Sequence, residues 1–288
     1  MRAIRNSMIL GAAAAALCNG PGASAGVIFN ISDFTGACGT TLTCVGSTAV
    51  AGTALRLTPA VGGQSGAGYS TNAITLGSNA TFSTTFQFQI TNPGGIAPAD
   101  GLTFVLARNP AGLGVGGGGL GYQGVPNSVA VEFDTFFNGG VDTDSNHVAI
   151  DTGGVLTNTA LANPYGVSNC GAPNTALGCL SNGDIWTALI GYDGSNLSVS
   201  VQDAGNAVQY LISSFPIDIA AALGTNTAFV GFTSGTGSGF ENHDILNWKL
   251  ANDTSLVTPP SIPEPASLAL VGLGLLGLPN LRRKVLRG

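Results

Sequence analysis

The chain has 288 residues with 15 acidic and 9 basic side chains, a formal net charge of −6, and only 8% charged residues. Six of the basic residues (Arg2, Arg5, Arg282, Arg283, Lys284 and Arg287) sit in the two tails, so residues 26–262 hold 14 acidic and 3 basic residues, a net of −11. A surface of that sign excludes nucleic acid and anionic membranes as partners and suits divalent cations.

At the N-terminus, Arg2 and Arg5 precede an apolar run from Met8 to Leu17, and Ala23-Ser24-Ala25 offers a small-residue cleavage site. This is the layout of a secretory signal peptide over residues 1–25, with Gly26 as the first mature residue. Cys18 leaves with it, and Cys38, Cys44, Cys170 and Cys179 remain as an even set in an exported chain. Two local disulfides, Cys38–Cys44 and Cys170–Cys179, are expected, although three pairings are formally possible. Neither pair has the ligand density or spacing of a zinc site.

Alternation then recurs along the chain. "TFSTTFQFQI" places Phe82, Phe86, Phe88 and Ile90 on one face, and "GLTFVLA", "SVAVEFDTF", "HVAID" and "DIWTALIGYD" read as further strands. In "NLSVSV", Leu197, Val199 and Val201 alternate with serines; "IDIAAALG" gives a helical turn or two, and "TAFVGFTS" is another strand. The 44 glycines follow no collagen-like period and read as turns. Many short strands between Gly, Asn and Pro turns predict an all-β, antiparallel sandwich in one domain, residues 26–250. Residues 251–262, "ANDTSLVTPPSI", read as a linker.

"VAVEFDTFFNGGVDTDSNHVAID", residues 129–151, concentrates five acidic residues (Glu132, Asp134, Asp142, Asp144, Asp151) and His147. Side chains two apart on a strand point the same way, so Glu132, Asp134 and Phe136 share one face, and "FNGGVD" turns the chain back towards His147. Carboxylates, an amide and an imidazole then converge, a donor set that suits calcium beside a transition ion such as manganese. A solvated acidic loop explains Asp144 and Asp151 well, but explains the alternating Glu132 and Asp134 poorly. An EF-hand loop starting at Asp142 fails, because His147 stands at its sixth position and Gly153 at its twelfth. A laminarinase-type glycosidase strand also fails, because Phe137 stands where the second catalytic glutamate belongs.

The stretch resembles the metal-binding segment of legume-type (L-type) lectins, Glu-x-Asp-x-aromatic-x-Asn-x-x-x-Asp-x-x-x-x-His, with every element at its spacing. The resemblance implies a concanavalin A-like jelly-roll sandwich. It implies that Glu132, Asp134, Asp142 and His147 hold Mn2+ or another transition-metal ion. Asp134, the carbonyl of Phe136, Asn138 and Asp142 would hold Ca2+. "ADGLTFVLA" resembles the segment whose aspartate accepts hydrogen bonds from two sugar hydroxyls, which assigns that role to Asp100 and a cis peptide to Ala99–Asp100. "GVGGGGLGYQG" resembles the glycine-rich loop and assigns a backbone donor to Gly118. Asn138 would hold both calcium and sugar, and Phe136 would offer its ring to the sugar's apolar face. "VGFTSGTGSGFENHDILNW" is similar to the last lectin segment, with Gly237, Ser238 and Gly239 lining the variable loop and His243 ordering it.

The tail, residues 263–288, joins Pro263-Glu264-Pro265, an apolar run from Ala266 to Leu278 and a basic cluster. A run of 13 residues is short of the ~20 that span a bilayer comfortably. It resembles the PEP-CTERM sorting signal of Gram-negative bacteria, which implies export, processing by an exosortase and a place at the cell surface or in the extracellular matrix. The combined expectation is a lectin binding glycans without catalysis, and the resemblance admits a homodimer through the back sheet. A glycosidase relative and a matrix protein with a spacer sandwich stay open.

Overall fold

The structure, a computed structural model, describes residues 26–109, 112–171 and 175–257. The expected signal peptide (1–25), the sorting tail (263–288) and residues 258–262 of the expected linker lie outside the described residues.

Sixteen strands run in chain order among the described residues. The first six are β1 (Val27–Ile31), β2 (Leu42–Gly46), β3 (Ala49–Ala51), β4 (Ala54–Thr58), β5 (Ser65–Ser70) and β6 (Ile74–Thr75). Next come β7 (Phe82–Gly95), β8 (Gly101–Ala107), β9 (Ser128–Asp134), β10 (His147–Thr152) and β11 (Val155–Ala162). The rest are β12 (Ile185–Tyr192), β13 (Asn196–Asp203), β14 (Gln209–Pro216), the short helix α1 (Ile219–Leu223), β15 (Thr227–Gly235) and β16 (Gly239–Ala251). A back sheet runs β14-β13-β12-β7-β16-β4-β3 with β1 on β16, and a front sheet runs β11-β10-β9-β8-β15-β5-β2 with β6 on β15. Every strand pairing is antiparallel. Among the described residues no helix is long and apolar enough to cross a membrane.

The alternation read from the sequence builds the core. Phe82, Phe86, Phe88 and Ile90 of β7 face inward with Val131 and Phe133 of β9 and Leu197, Val199 and Val201 of β13. Phe86 meets Phe232 edge-on at 4.9 Å and Phe133 at 5.8 Å, linking the two sheets through aromatic contacts. A second, smaller apolar cluster forms on the other face of the front sheet. There Tyr122 and Val125 cover Val105, Ala107 and Ala130. Strands of the front sheet are therefore buried on both faces, which places any outward-pointing polar side chain beneath loops instead of in water.

Both expected disulfides are present, with Cα–Cα separations of 5.4 Å for Cys38–Cys44 and 5.8 Å for Cys170–Cys179. Two boundaries differ from expectation. Strand β9 stops at Asp134, so Phe136 does not share its face; the Phe136 amide donates to Asp134 Oδ1 at 2.7 Å, and that Asx turn ends the strand. Strand β16 runs to Ala251, and the described part of the expected linker is packed instead of free. There the Leu256 amide donates to Ser83 Oγ at 3.2 Å, and the Val257 side chain lies where a Cβ on Gly191 would come within 2.5 Å of it.

Candidate functional site

Three neighbouring strands assemble the site. On β9, Val131 and Phe133 enter the core, so Glu132 and Asp134 point to the opposite face, where loops leave them only 1% and 2% exposed. Antiparallel pairing sets His147 of β10 across from Asp134, and Gly101 of β8 pairs with Asp134 from the other side. Asp100 thereby stands at the start of β8, next to the same carboxylate. The loop between β9 and β10 folds back over them: Asn138 donates its backbone N–H to Asp142 Oδ2 at 2.7 Å, and Asn158 Nδ2 donates to Asp142 Oδ1 at 2.9 Å.

Asp134, Asp142 and His147 consequently offer ligand atoms that all lie within 4.8 Å of one another. Glu132 joins through the imidazole, with Oε1 3.2 Å from His147 Nε2, while His147 Nδ1 lies 3.2 Å from Asp144 Oδ1. Burial, with the charges of Glu132, Asp142 and Asp100, drives the Asp134 carboxyl well above the usual range. Burial opposes a charged His147 ring, yet the Glu132 carboxylate, helped by Asp144 and Asp142, holds its pKa above the ordinary value. Asp151 is pushed up to about 8 by burial and the charge of Glu132. Arg56 is committed to Asp244 at 2.7 Å on the back sheet. Buried carboxylates at this density are costly unless a cation joins them, and oxygen donors with one imidazole fit a divalent ion.

Above this centre sits Asp100, and its peptide with Ala99 is cis. Its carbonyl accepts from the Thr135 amide at 2.9 Å, and its own amide donates to Gly235 O at 3.3 Å. Burial pushes its carboxyl up to about 6, opposed by hydrogen bonds from the Asn138 side chain and the Gly237 N–H, with the Asp142 charge adding to the rise. Oδ2 is buried without a hydrogen-bond partner among the described residues. Gly118 closes on the group so tightly that a Cβ there would lie 2.4 Å from the Asn138 carboxamide, and a Cβ on Gly237 would lie 3.3 Å from Asp100 Oδ2.

The structure thus brings Asp100, Gly118, Asn138 and Gly237 together over Glu132, Asp134, Asp142 and His147. Gly239 packs behind them, where a Cβ would meet Ala97 O at 2.4 Å, and Ser238 is exposed, its carbonyl accepting from the Ile96 amide at 3.3 Å. Phe136 is half-buried, whereas its neighbour Phe137 is 51% exposed. His243 is no ligand: it lies fully buried in the back sheet, Nδ1 2.7 Å from Thr58 Oγ1, with burial depressing its pKa to about 3.

The solvated-loop reading of Asp144 and Asp151 is corrected. They are 7% and 0% exposed, because the segment after β11 covers the first and the β10–β11 hairpin bends over the second. For Asp151 the signal was available: His147, Ala149 and Asp151 alternate on one face of β10, the face that carries Glu132 on β9. Glu241 was also passed over. It reaches from β16 to accept from Thr135 Oγ1 at 3.1 Å, a partner 106 residues away that no local pattern reveals.

Comparison with known proteins agrees with this geometry. Residues 27–264 match the legume lectin domain family, and residues 261–284 match the PEP-CTERM protein-sorting motif. A lectin alpha chain of Lablab purpureus is 31% identical over 193 residues, 63% of this chain and 63% of that protein. The L-type lectin-domain containing receptor kinase VIII.1 of Arabidopsis thaliana is 33% identical over 196 residues, 64% of this chain and 26% of the kinase. The chain therefore spans less than two thirds of these relatives' length. Among solved structures, basic winged bean lectin with Tn-antigen is 26% identical, with a TM-score of 0.63 over 77% of this chain and 96% of that one. Peanut lectin, 24% identical, shares the fold with a TM-score of 0.65 over 80% of this chain and 97% of that one. The jelly-roll sandwich is the fold of these lectins, and in this chain it carries an acid-and-imidazole cluster beneath a loop-borne aspartate. The chain belongs to the legume lectin domain family, with a PEP-CTERM sorting motif at its C-terminus.

Proposed function

We propose that this is an exported lectin that binds one sugar residue reversibly, without turnover, at a site that requires bound metal. Glu132, Asp134, Asp142 and His147 would hold Mn2+ or another transition ion. Asp134, the Phe136 carbonyl, Asn138 and Asp142 would hold Ca2+. The ions supply positive charge that lets the buried carboxylates coexist and fixes the loop bearing Asn138. Asp100 would then accept from two sugar hydroxyls, Asn138 and the Gly118 N–H would contact the sugar's polar edge, and an aromatic ring at Phe136 would meet its apolar face. Gly237, Ser238 and Gly239 border the pocket with backbone groups and one hydroxyl, so its specificity would rest on main-chain geometry. The reading also includes the lectin domain at residues 26–250, removal of residues 1–25, and handling of residues 263–288 by an exosortase-type enzyme.

One observation carries this reading. The buried Asp100 carboxylate, with Oδ2 unpartnered among the described residues, faces Asn138 and Gly237 over the cluster of Asp134, Asp142 and His147. A glycan array probed with the chain in Ca2+ and Mn2+, then in EDTA, tests it. The expected result is a set of hits lost in EDTA and lost again in Asp100→Ala. Hits indifferent to EDTA and to Asp100 would refute the site. Cleavage of any glycan dependent on Glu132, abolished in Glu132→Gln, would refute the absence of catalysis.

A further inference from the structure

Asp144 is not among the residues expected to touch a metal, and it was expected in solvent. Instead it is one of the most heavily hydrogen-bonded side chains in the molecule. Oδ1 accepts from the Asn146 amide at 3.1 Å and faces His147 Nδ1 at 3.2 Å. Oδ2 accepts from Asn163 Nδ2 at 3.0 Å and from Thr143 Oγ1 at 3.1 Å. The group that holds it is itself held. Asn163 Nδ2 also donates to the Asn146 carbonyl at 2.8 Å, and Asn146 Nδ2 donates to the carbonyls of Val167 and Gly178 at 2.7 and 2.8 Å. The Leu180 amide closes the set by donating to Asn146 Oδ1 at 2.9 Å. Asp144 therefore has one orientation, fixed by four donors from two segments, residues 143–147 and Asn163.

Where Nε2 of His147 gives its lone pair to a metal ion, the ring proton sits on Nδ1, which then donates to Asp144 Oδ1. That assignment fixes the tautomer and the ring plane, and leaves Nε2 pointing at Glu132, on the side of the acidic centre. We propose that Asp144 is a positioning residue that sets His147 for a transition-metal ion and thereby tunes which ion the centre prefers. The inference rests on the metal-binding reading above. A carboxylate behind a ligating imidazole orients the ring and strengthens it as a donor, and loss of such a partner costs about 10- to 100-fold in metal affinity. Calcium takes oxygen donors and has no use for the imidazole. The effect of Asp144 should accordingly fall on the transition ion and spare calcium.

The test uses the full chain stripped of metal and titrated with each ion alone: Mn2+ followed by loss of the free-ion electron paramagnetic resonance signal, Ca2+ by calorimetry. Asp144→Ala is expected to weaken Mn2+ about 10- to 100-fold and change Ca2+ by less than about threefold. Asp144→Asn keeps an oxygen acceptor without the charge and is expected to fall between Asp144→Ala and wild type. A purely structural role would lower both affinities together, so a parallel fall in Mn2+ and Ca2+ overturns the proposal, as does unchanged Mn2+ affinity. If Asp144→Ala does not fold, Asp144→Asn decides alone: an unchanged Mn2+-to-Ca2+ ratio refutes the assignment. Wild type that binds neither ion overturns the metal-binding reading itself, and this inference with it.

Discussion

Glu241 shows how much of this site is set by a single residue remote in sequence. It lies wholly buried on β16, with Oε1 taking the Thr135 hydroxyl and Oε2 without a partner among the described residues. Burial raises its carboxyl to about 8, against the hydrogen bonds of Thr135 and Ser181 and with the charge of Asp100 adding to the rise. Its folded pKa is above the unfolded value, so its contribution to stability is full at acid pH and is lost as pH rises through about 8. Each pH unit in that window is worth about 1.4 kcal/mol. His243, depressed to about 3, acts in the opposite sense and is lost as pH falls below the ordinary histidine range, which blurs the wild-type profile. The difference between variants is therefore the readout. The melting temperature of Glu241→Gln minus that of wild type, both metal-free, should grow from about pH 5 upwards and level off near pH 8. A flat difference would mean that Glu241 is already ionised in the fold. None of this was legible locally: the proposed metal ligands announced themselves by spacing, whereas Glu241 reads as one acid in a loop-and-strand segment until β16 is laid between β7 and β4.

At the scale of elements, β7, β12 and β13 were legible from the period of two that burial on one face leaves, and β8, β9, β10 and β15 as short apolar runs between turns. What alternation could not show is the layer of irregular chain over the front sheet, where Asn, Asp and Gly side chains make specific long-range bonds. The Cys170–Cys179 bridge belongs to that layer. It closes a loop whose Cys170 amide donates to Ser145 Oγ at 3.3 Å and whose Gly178 carbonyl accepts from Asn146 Nδ2 at 2.8 Å, both beside His147. Cys38–Cys44 sits at the start of the chain on β2 and has no such link. Replacing either pair by alanine should cost ~2–3 kcal/mol, since the closed loops are similarly short, and a urea titration reads that directly. Mn2+ binding should separate them: several-fold weaker without Cys170 and Cys179, unchanged without Cys38 and Cys44. Equal effects of the two replacements on Mn2+ would detach the second bridge from the metal centre.

Across the whole molecule, the two outer faces have separate uses. Glu132 and Asp134 leave the front sheet on the side away from the core, while Gly191, between the inward-facing Ile190 and Tyr192, leaves the back sheet on the side away from the core. Val257 covers Gly191, and the Leu256 amide is tied to Ser83 on β7, so the described chain ends on the back face. The N-terminus stays close by, with the Gly26 amide donating to Asn252 Oδ1 at 2.8 Å. The sorting motif at residues 261–284 begins four residues after the described chain ends, on the face opposite the proposed sugar site. That arrangement follows from the jelly-roll topology, which sends β16 down the middle of the back sheet, and no residue pattern in the tail encodes it. Its consequence is that attachment through the C-terminus leaves the site open. Chain captured on a surface by a tag after residue 257 should bind a glycan hit with the same metal dependence and the same affinity, within about twofold, as chain in solution. Chain captured through biotin on Val141→Cys, an exposed position of the loop over the metal centre, should bind little or none. Loss of binding in the C-terminal capture, with binding kept in the loop capture, would place the attachment point and the sugar site on the same side of the sandwich.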